Sequence, residues 1–345
     1  MTNIIISIKK LYKIFGDNPK NMMQYLLEGI TKQDLLDQHN HVLGLNNINL
    51  DIKSKHIHVI MGLSGSGKST LIRHVNRLIE PTSGKIIVDG KNMLEMSDDE
   101  LREFRRFKAS MVFQKFALLP HRTVIKNVAY GLLIQGVKKG EAYERSQKWI
   151  DKVSLNGYEN SYPYQLSGGM QQRVGLARAM ATDAGILLMD EAFSSLDPLI
   201  RSSMQEILLD LQKELNKTII FITHDLNEAL RIGDQISILR DGELIQTGSP
   251  EDILLGPKDK YISNFIKDIN RGRILKVSSI MRKNTSIKAP KILDNTSIED
   301  AIPILASASD RIAAVVNKNG NIIGKVSLDS AISALSLIHI SEPTR

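Results

Sequence analysis

The sequence contains no cysteine, so its 345 residues can build neither a disulfide framework nor a thiolate metal site. That fits a reducing cytoplasm. Long apolar runs are also missing: nothing approaches the roughly 18 residues a membrane span needs. The opening Ile4-Ile5-Ile6 is too short for a signal peptide and reads as a first strand. Charge of one sign is not concentrated either. The net +7 comes from 45 basic residues against 38 acidic ones, interspersed nearly throughout. Most of these charges read as a solvated surface, and charge alone selects neither lipid nor nucleic acid as a partner. What remains, 42% hydrophobic and 24% charged, is the composition of a globular protein with a sizeable core. The length suggests about two domains of roughly 150 residues each.

The most informative stretch is Gly62-Leu63-Ser64-Gly65-Ser66-Gly67-Lys68-Ser69-Thr70. Ahead of it His58-Val59-Ile60-Met61 reads as a buried strand, and Leu71 to Ile79 follow with helical apolar spacing. The stretch satisfies G-x-x-x-x-G-K-[ST] in the strand–loop–helix context that the motif requires. Glycines let such a loop curl so that backbone N–H groups point at phosphate oxygens, and the helix start behind it favours negative charge. Lys68 can reach the β- and γ-phosphates, and the Ser69 hydroxyl can ligate Mg²⁺.

Along the chain, residues 4–15 read as a strand ending in Phe15-Gly16. A helical insert over 17–42 follows. Asn18-Pro19 is expected to cap and start its first helix, through Met22, Met23, Leu26 and Leu27 to a stop at Gly29. Thr31 with Asp34 starts a second, and the pair of helices either covers a core edge or docks on a partner. Strands are expected at 48–52, 57–61 and 86–90. Ser97 and Glu100 match a capping box opening a helix on which Arg102, Arg105, Arg106 and Lys108 read as a solvated face. Ser110 to Gln114 reads as a strand, and 121–165 as largely helical, with Trp149 and Ile150 facing a local core. Leu166 to Gln171 lead into a further helix. Ile186 to Glu191 is an apolar strand ending in two acids, and Asp197 with Pro198 starts a long helix. Thr218 to Thr223 is a buried strand that delivers His224. This alternation predicts a mainly parallel sheet covered by helices. Near Arg271-Gly272 the character changes. Helices at 298–308 and 328–335 flank a hairpin turned by Asn319-Gly320, approached by a basic run of Lys276, Arg282, Lys283, Lys288 and Lys291.

Hydrolysing the β–γ bond of ATP needs a phosphate cradle, a metal held in line and a positioned water. The cradle is 62–69. Asp190, at the carboxyl end of an apolar strand, suits a direct or outer Mg²⁺ role alongside Ser69, and Glu191 just beyond it suits polarising the attacking water. Gln114 and His224 each end a predicted strand, so both could converge on the γ-phosphate. Ser167-Gly168-Gly169 is a second glycine-rich helix start, hence a second anion site. One nucleotide rarely needs two cradles. The economical arrangement is a dimer in which each ATP lies between the 62–69 loop of one chain and the 167–169 turn of the other.

With these residues assembled, roughly 1–270 resemble the nucleotide-binding subunit of an ATP-binding cassette (ABC) transporter, in that family's order and spacing. The pieces are the Walker A loop 62–70, the Q-loop Gln114, the signature 166–171, the Walker B strand 186–191, the D-loop with Asp197 and the switch His224. The resemblance implies a P-loop NTPase α/β fold with a helical subdomain over about 115–165. It implies Lys68, Gln114, Glu191 and His224 as catalytic residues, and Ser69, Gln114 and Asp190 as the Mg²⁺ set. It also implies an aromatic that stacks on adenine, Phe15 in the first place and Tyr12 in the second. Within the family, the insert 17–42 and the stretches 59–76 and 163–198 look like the glycine betaine/L-proline importer ATPase. That subfamily is expected to work as a homodimer on the cytoplasmic face of a membrane permease, served indirectly by an extracytoplasmic substrate-binding protein, with no nucleic acid. Residues 275–335 resemble one cystathionine-β-synthase (CBS) motif, a small α+β region that is half of the usual pair. Residues 336–345 are expected to be non-native. The alternatives are an importer for another solute such as an amino acid, and a soluble ABC ATPase acting on nucleic acid or ribosomes.

Overall fold

In a computed structural model the described residues are 3–114, 116–194, 196–267, 269–283 and 289–335. The expected non-native tail, 336–345, lies outside them, as do Lys288 and Ser195. None of the described helices is long and apolar enough to cross a membrane. The chain divides into two compact units, Met1–Thr247 and Gly248–Arg345.

The first unit contains two sheets rather than the single, mainly parallel one expected. Strands β1 (Ile4–Phe15), β2 (Val42–Lys53), β3 (Ile57–Met61), β4 (Ser83–Val88) and β5 (Lys91–Asn92) are followed by β6 (Ala109–Val112), β7 (Ile186–Asp190), β8 (Thr218–Thr223), β9 (Gln235–Arg240) and β10 (Glu243–Gly248). Four of them make an antiparallel sheet in the order β2-β1-β4-β5, with Phe15 opposite Val42 and Ile6 opposite Val88. The other six run β10-β9-β3-β8-β7-β6, and the pairs β9–β3, β3–β8, β8–β7 and β7–β6 are parallel. The physical reason lies in the side-chain patterns. Every residue of β3, β7 and β8 is buried, as a parallel sheet covered on both faces demands. In β1 and β2 buried and exposed residues largely alternate, which is the pattern of a sheet with one wet face.

The core lies between the sheets. Ile6, Ile8, Ile48, Leu50 and Ile86 of the antiparallel sheet meet Ile60, Leu188, Ile220 and Ile222 of the parallel one, with Leu71, Ile72 and Val75 between them. Those last three belong to the helix Lys68–Val75, so the helix behind the phosphate loop is held on both sides by core contacts. Fully burying such a side chain is worth about 1.5–3 kcal/mol. Arg105, expected on a solvated face, is exposed as expected and also donates from Nε to Asn76 O (3.0 Å) and from Nη2 to Arg77 O (2.8 Å). It thereby supplies a cation to the C-terminal end of that helix, where unsatisfied carbonyls favour one.

Two local expectations hold only in part. Asn18 adopts a left-handed conformation and makes no side-chain capping bond, although Pro19 does open a short 3-10 turn ahead of the helix Met23–Leu27. Trp149 is only half-buried, with the Lys152 ammonium 5.1 Å from its ring centroid, while Ile150 is fully buried. By contrast Thr31 caps the helix Lys32–His39 through Asp34 N, and Ser97 and Glu100 form the reciprocal capping box.

His58, in the middle of the first unit, gives that unit an acid-sensitive stability. Burial, and then the neighbouring His56 and Lys53 charges, push its imidazole down to about 4, and its Nε2 lies 2.8 Å from Ser237 Oγ. The unfolded chain takes up this proton near the ordinary value of about 6.5, whereas the folded chain resists it. The contribution is therefore complete above pH about 6.5 and is lost as pH falls toward 4, by about 3 kcal/mol in all. Melting curves between pH 7 and 4.5 should show a fall in Tm that is shallower in His58→Asn; equal slopes would exclude this histidine as a cause.

The second unit begins at Gly248, earlier than the expected change of character near Arg271, and Ile253, Leu254, Ile262 and Ile266 in its first part are buried. Its sheet comprises β11 (Lys291–Leu293), β12 (Ile312–Val316) and β13 (Ile322–Ser327), with β11–β12 parallel and β12–β13 antiparallel. The helices Ile298–Ser307 and Leu328–Leu335 accompany it, and Gly320 at φ +81° supplies the left-handed turn of the hairpin. The basic run ahead of this sheet is not uniformly open: Lys276 Nζ lies 3.9 Å from Glu251 Oε1.

Candidate functional site

The register of the parallel sheet decides what meets at its carboxyl edge. Met61 of β3 is level with Thr223 of β8, and Asp190 of β7 with Ile222 of β8, so the segments that follow these strands emerge side by side. The loop 62–67, Glu191 and His224 therefore lie together, joined by Gln114 beyond β6. Carboxyl edges of parallel strands are where such folds place ligands.

A cavity of about 380 Å³ opens there, lined by Phe15, Lys32, Ser64, Gly65, Gly67, Lys68, Ser69, Thr70, Gln114 and Glu191 among others. Gly67 caps the helix Lys68–Val75 at φ +97°, and a Cβ on it would come within 2.7 Å of the Gly44 carbonyl. Left-handed backbone and close approach together make glycine obligatory at this position. Gly62, Leu63 and Ser66 shape the loop without lining the cavity. The Leu63 carbonyl accepts a 2.8 Å bond from Lys68 Nζ, and the Ser66 carbonyl accepts from Gly242 N at 3.1 Å. Burial, opposed by the Glu191 and Asp190 charges, lowers the Lys68 pKa below its ordinary value.

The acids occupy two different environments. Asp190 is fully buried and accepts from Ser69 Oγ at 2.6 Å and from Arg73 Nη2 at 3.0 Å. Arg73 lies four residues beyond Ser69 on one helix face, so both partners of the aspartate come from the helix behind the phosphate loop. Glu191 sits just past the strand at φ +47°, outside the extended geometry, and turns its carboxylate into the cavity. There it accepts from Gln114 Nε2 at 2.9 Å, and His224 Nδ1 is 3.7 Å from the same oxygen. The donation to Glu191 leaves Gln114 Oε1 as an oxygen ligand. Ser69 Oγ and Gln114 Oε1 thus line the cavity as hard oxygen donors with a carboxylate directly behind, a set that fits Mg²⁺, which binds through few protein groups and keeps waters and phosphate oxygens.

Phe15 lies in the cavity wall, 39% exposed, with the Lys13 ammonium 5.0 Å from its ring centroid. Tyr12 lines a separate cavity, with Met23 and Leu27. Of the two aromatics, Phe15 lines the phosphate-loop cavity and Tyr12 does not.

The remaining expected residues lie elsewhere. Ser167 caps the helix Gly168–Ala181, accepting from Met170 N at 3.3 Å, and both Ser167 and Gly168 are exposed. Gly169 is half-buried, and Asp197 heads the helix Pro198–Leu215 with no side-chain capping bond. None of Ser167, Gly168, Gly169 and Asp197 lines the cavity of the 62–69 loop. Three cations are not distinguishable in the sequence from ordinary surface charges. Arg73 holds Asp190. Arg178 of the helix Gly168–Ala181 donates to Ala117 O at 2.7 Å and Phe116 O at 3.0 Å, tying the turn after Gln114 to the 167–169 element. Lys32 belongs to the helical insert and lines the cavity. The partners of the arginines are set by tertiary packing, and no local spacing marks them.

A family profile described as ABC transporter matches residues 45–194. The glycine betaine transport ATP-binding protein OpuAA of Bacillus subtilis is 47% identical over 339 residues, covering 98% of this chain and 77% of that protein. The glycine betaine/carnitine transport ATP-binding protein GbuA of Listeria monocytogenes is 49% identical over 321 residues, covering 93% of this chain and 80% of its own length. Among solved structures, the dimeric post-hydrolysis state of the ATP-binding cassette MJ0796 bound to ADP and Pi superposes with a TM-score of 0.61. It is 32% identical and covers 71% of this chain and 99% of that cassette.

Proposed function

The chain belongs to the ABC transporter ATPase family, and on that premise we propose that it is the energy-coupling subunit of an importer for glycine betaine, proline or related quaternary amines. Two copies close on two ATP molecules, power a membrane permease from its cytoplasmic face, and reopen after hydrolysis. The observation that carries the homodimer is the separation of the two anion-binding elements. Residues of the loop 62–69, with Gln114 and Glu191, line one cavity, while the helix start at Ser167, Gly168 and Gly169, exposed at its first two residues and half-buried at the third, is not part of that lining. A second chain can bring that turn to the open side of the cavity.

In this reading Lys68 leaves the Leu63 carbonyl for the β- and γ-phosphates, and Phe15 stacks on adenine. Ser69 and Gln114 hold Mg²⁺, and the buried Asp190 orients Ser69 from behind. Glu191, fixed by Gln114, takes the proton of the attacking water. His224, 3.7 Å from the glutamate, is close enough to reach the same phosphate edge. The residues following Gln114, tied back by Arg178, suit a permease contact because a push there reaches both the γ-phosphate side and the 167–169 element. The second unit, with its CBS-like hairpin and helices, is the regulatory part. The transported solute does not touch this chain, and its identity here follows the names of the relatives.

The test is uptake of labelled glycine betaine by vesicles containing the chain with its co-expressed permease and binding protein. Uptake that needs ATP and all components is expected. Hydrolysis that never cofractionates with membranes would point to a soluble ATPase, and transport of an amino acid instead of betaine would reassign the solute.

A further inference from the structure

The helical insert does more than cover a core edge. It does cover one: Leu35 packs with Ile14 and Leu43, and Met22, Met23, Leu26 and Ile30 close around them. Its ends are drawn together by His41, whose Nδ1 is 2.6 Å from His39 O and whose Nε2 is 2.7 Å from Asp17 O. Gly16, at φ +138°, lets the chain turn out of β1 at this point, where a Cβ would run into the His41 ring. The insert therefore sits at a fixed place beside Phe15, and from that place Lys32 lines the cavity of the phosphate loop.

The partner of Lys32 is weak and replaceable. Its Nζ is 3.8 Å from Asp241 Oδ1, and the two side chains are 42% and 77% exposed. That separation exceeds the roughly 2.7–2.9 Å of a charge-assisted hydrogen bond, and exposed pairs of this kind hold their members loosely. Asp241 is itself anchored to the phosphate loop. The next residue, Gly242, donates to Ser66 O at 3.1 Å and accepts from Asn46 N at 2.8 Å. A polyphosphate in the cavity would present several negative charges to an ammonium whose ion-pair partner among the described residues is one distant carboxylate.

We propose that Lys32 of the helical insert is a nucleotide-binding residue: it leaves Asp241 for the phosphate chain when the cavity fills, so that the insert closes the Phe15 side of the site. The proposal rests on the nucleotide-site reading above and adds a specificity element for the phosphorylated part of the ligand.

The experiment compares dissociation constants of ADP, ATP and adenosine for the wild-type chain, Lys32→Ala, Lys32→Glu and Asp241→Asn. Lys32→Ala should weaken ADP and ATP about three- to tenfold, the range of a partly exposed charge contact, and Lys32→Glu should weaken them further. The loss should fall on KM more than on kcat, and adenosine affinity should not change. Asp241→Asn should tighten ADP and ATP, because it removes the competitor. If Lys32 merely anchors the insert, Lys32→Ala and Asp241→Asn break the same pair and shift affinity in the same direction. That outcome, or wild-type affinity in Lys32→Ala, overturns the proposal while leaving the nucleotide site in place. A wild-type chain that bound neither ADP nor ATP would overturn both.

Discussion

Glu191→Gln should keep ATP bound and hold the protein as a closed dimer while turnover falls by a factor of about 10²–10⁴, the usual worth of a positioned general base. The substitution preserves volume and a hydrogen-bonding partner for Gln114, whose Nε2 lies 2.9 Å from the carboxylate. It removes the carboxylate that lines the cavity beside the phosphate loop, while Asp190 is fully buried behind Ser69 and Arg73. Loss of the glutamate charge also removes an electrostatic repulsion that incoming phosphates would meet, so affinity should hold or rise. Single-turnover hydrolysis together with sedimentation in Mg-ATP separates these effects. Near-normal hydrolysis would refute the role assigned to Glu191. Loss of nucleotide binding instead would mean that the residue supports the cavity rather than the chemistry.

Much of this site can be read from the chain because its parts are local. The phosphate loop carries its own glycines and lysine. The strands β3, β7 and β8 announce themselves as largely apolar runs, broken in β3 by His58, and each delivers a functional residue within one or two positions of its end. Capping at Thr31 and Ser97 is legible for the same reason, since both partners lie within three residues. The antiparallel sheet is not legible as a separate layer. β1 pairs with β4 across about eighty residues, as in Ile6 with Val88, and alternating burial does not name the partner strand. Cations are the hardest residues to place. Arg105 looks like its neighbours Arg102 and Arg106 on one charged helix, yet its guanidinium reaches carbonyls at the end of another helix. Asp197 stands at a helix start, as its spacing before Pro198 predicts, but its carboxylate makes no capping bond.

Ser167→Arg should abolish ATP-driven dimerisation while nucleotide binding by the single chain stays within about twofold of wild type, the scatter expected of substitutions outside a contact. The lining of the binding cavity does not include Ser167, Gly168 or Gly169, so the substitution leaves the chain's own phosphate-loop residues unaltered. The side chain is exposed, and what it does within the chain is accept one 3.3 Å bond from Met170 N as a helix cap. Losing that cap costs about 1 kcal/mol, a modest fall in Tm that Ser167→Ala should reproduce. Ser167→Ala, lacking the bulk, should still dimerise, which separates capping from closure. The decisive background is Glu191→Gln, where hydrolysis cannot reopen the closed state. There the Ser167→Arg chain should sediment as a monomer in Mg-ATP and the parent as a dimer. A double variant that still dimerises would place the 167–169 turn outside the interface, and each cavity would then have to complete its phosphate coordination from its own chain.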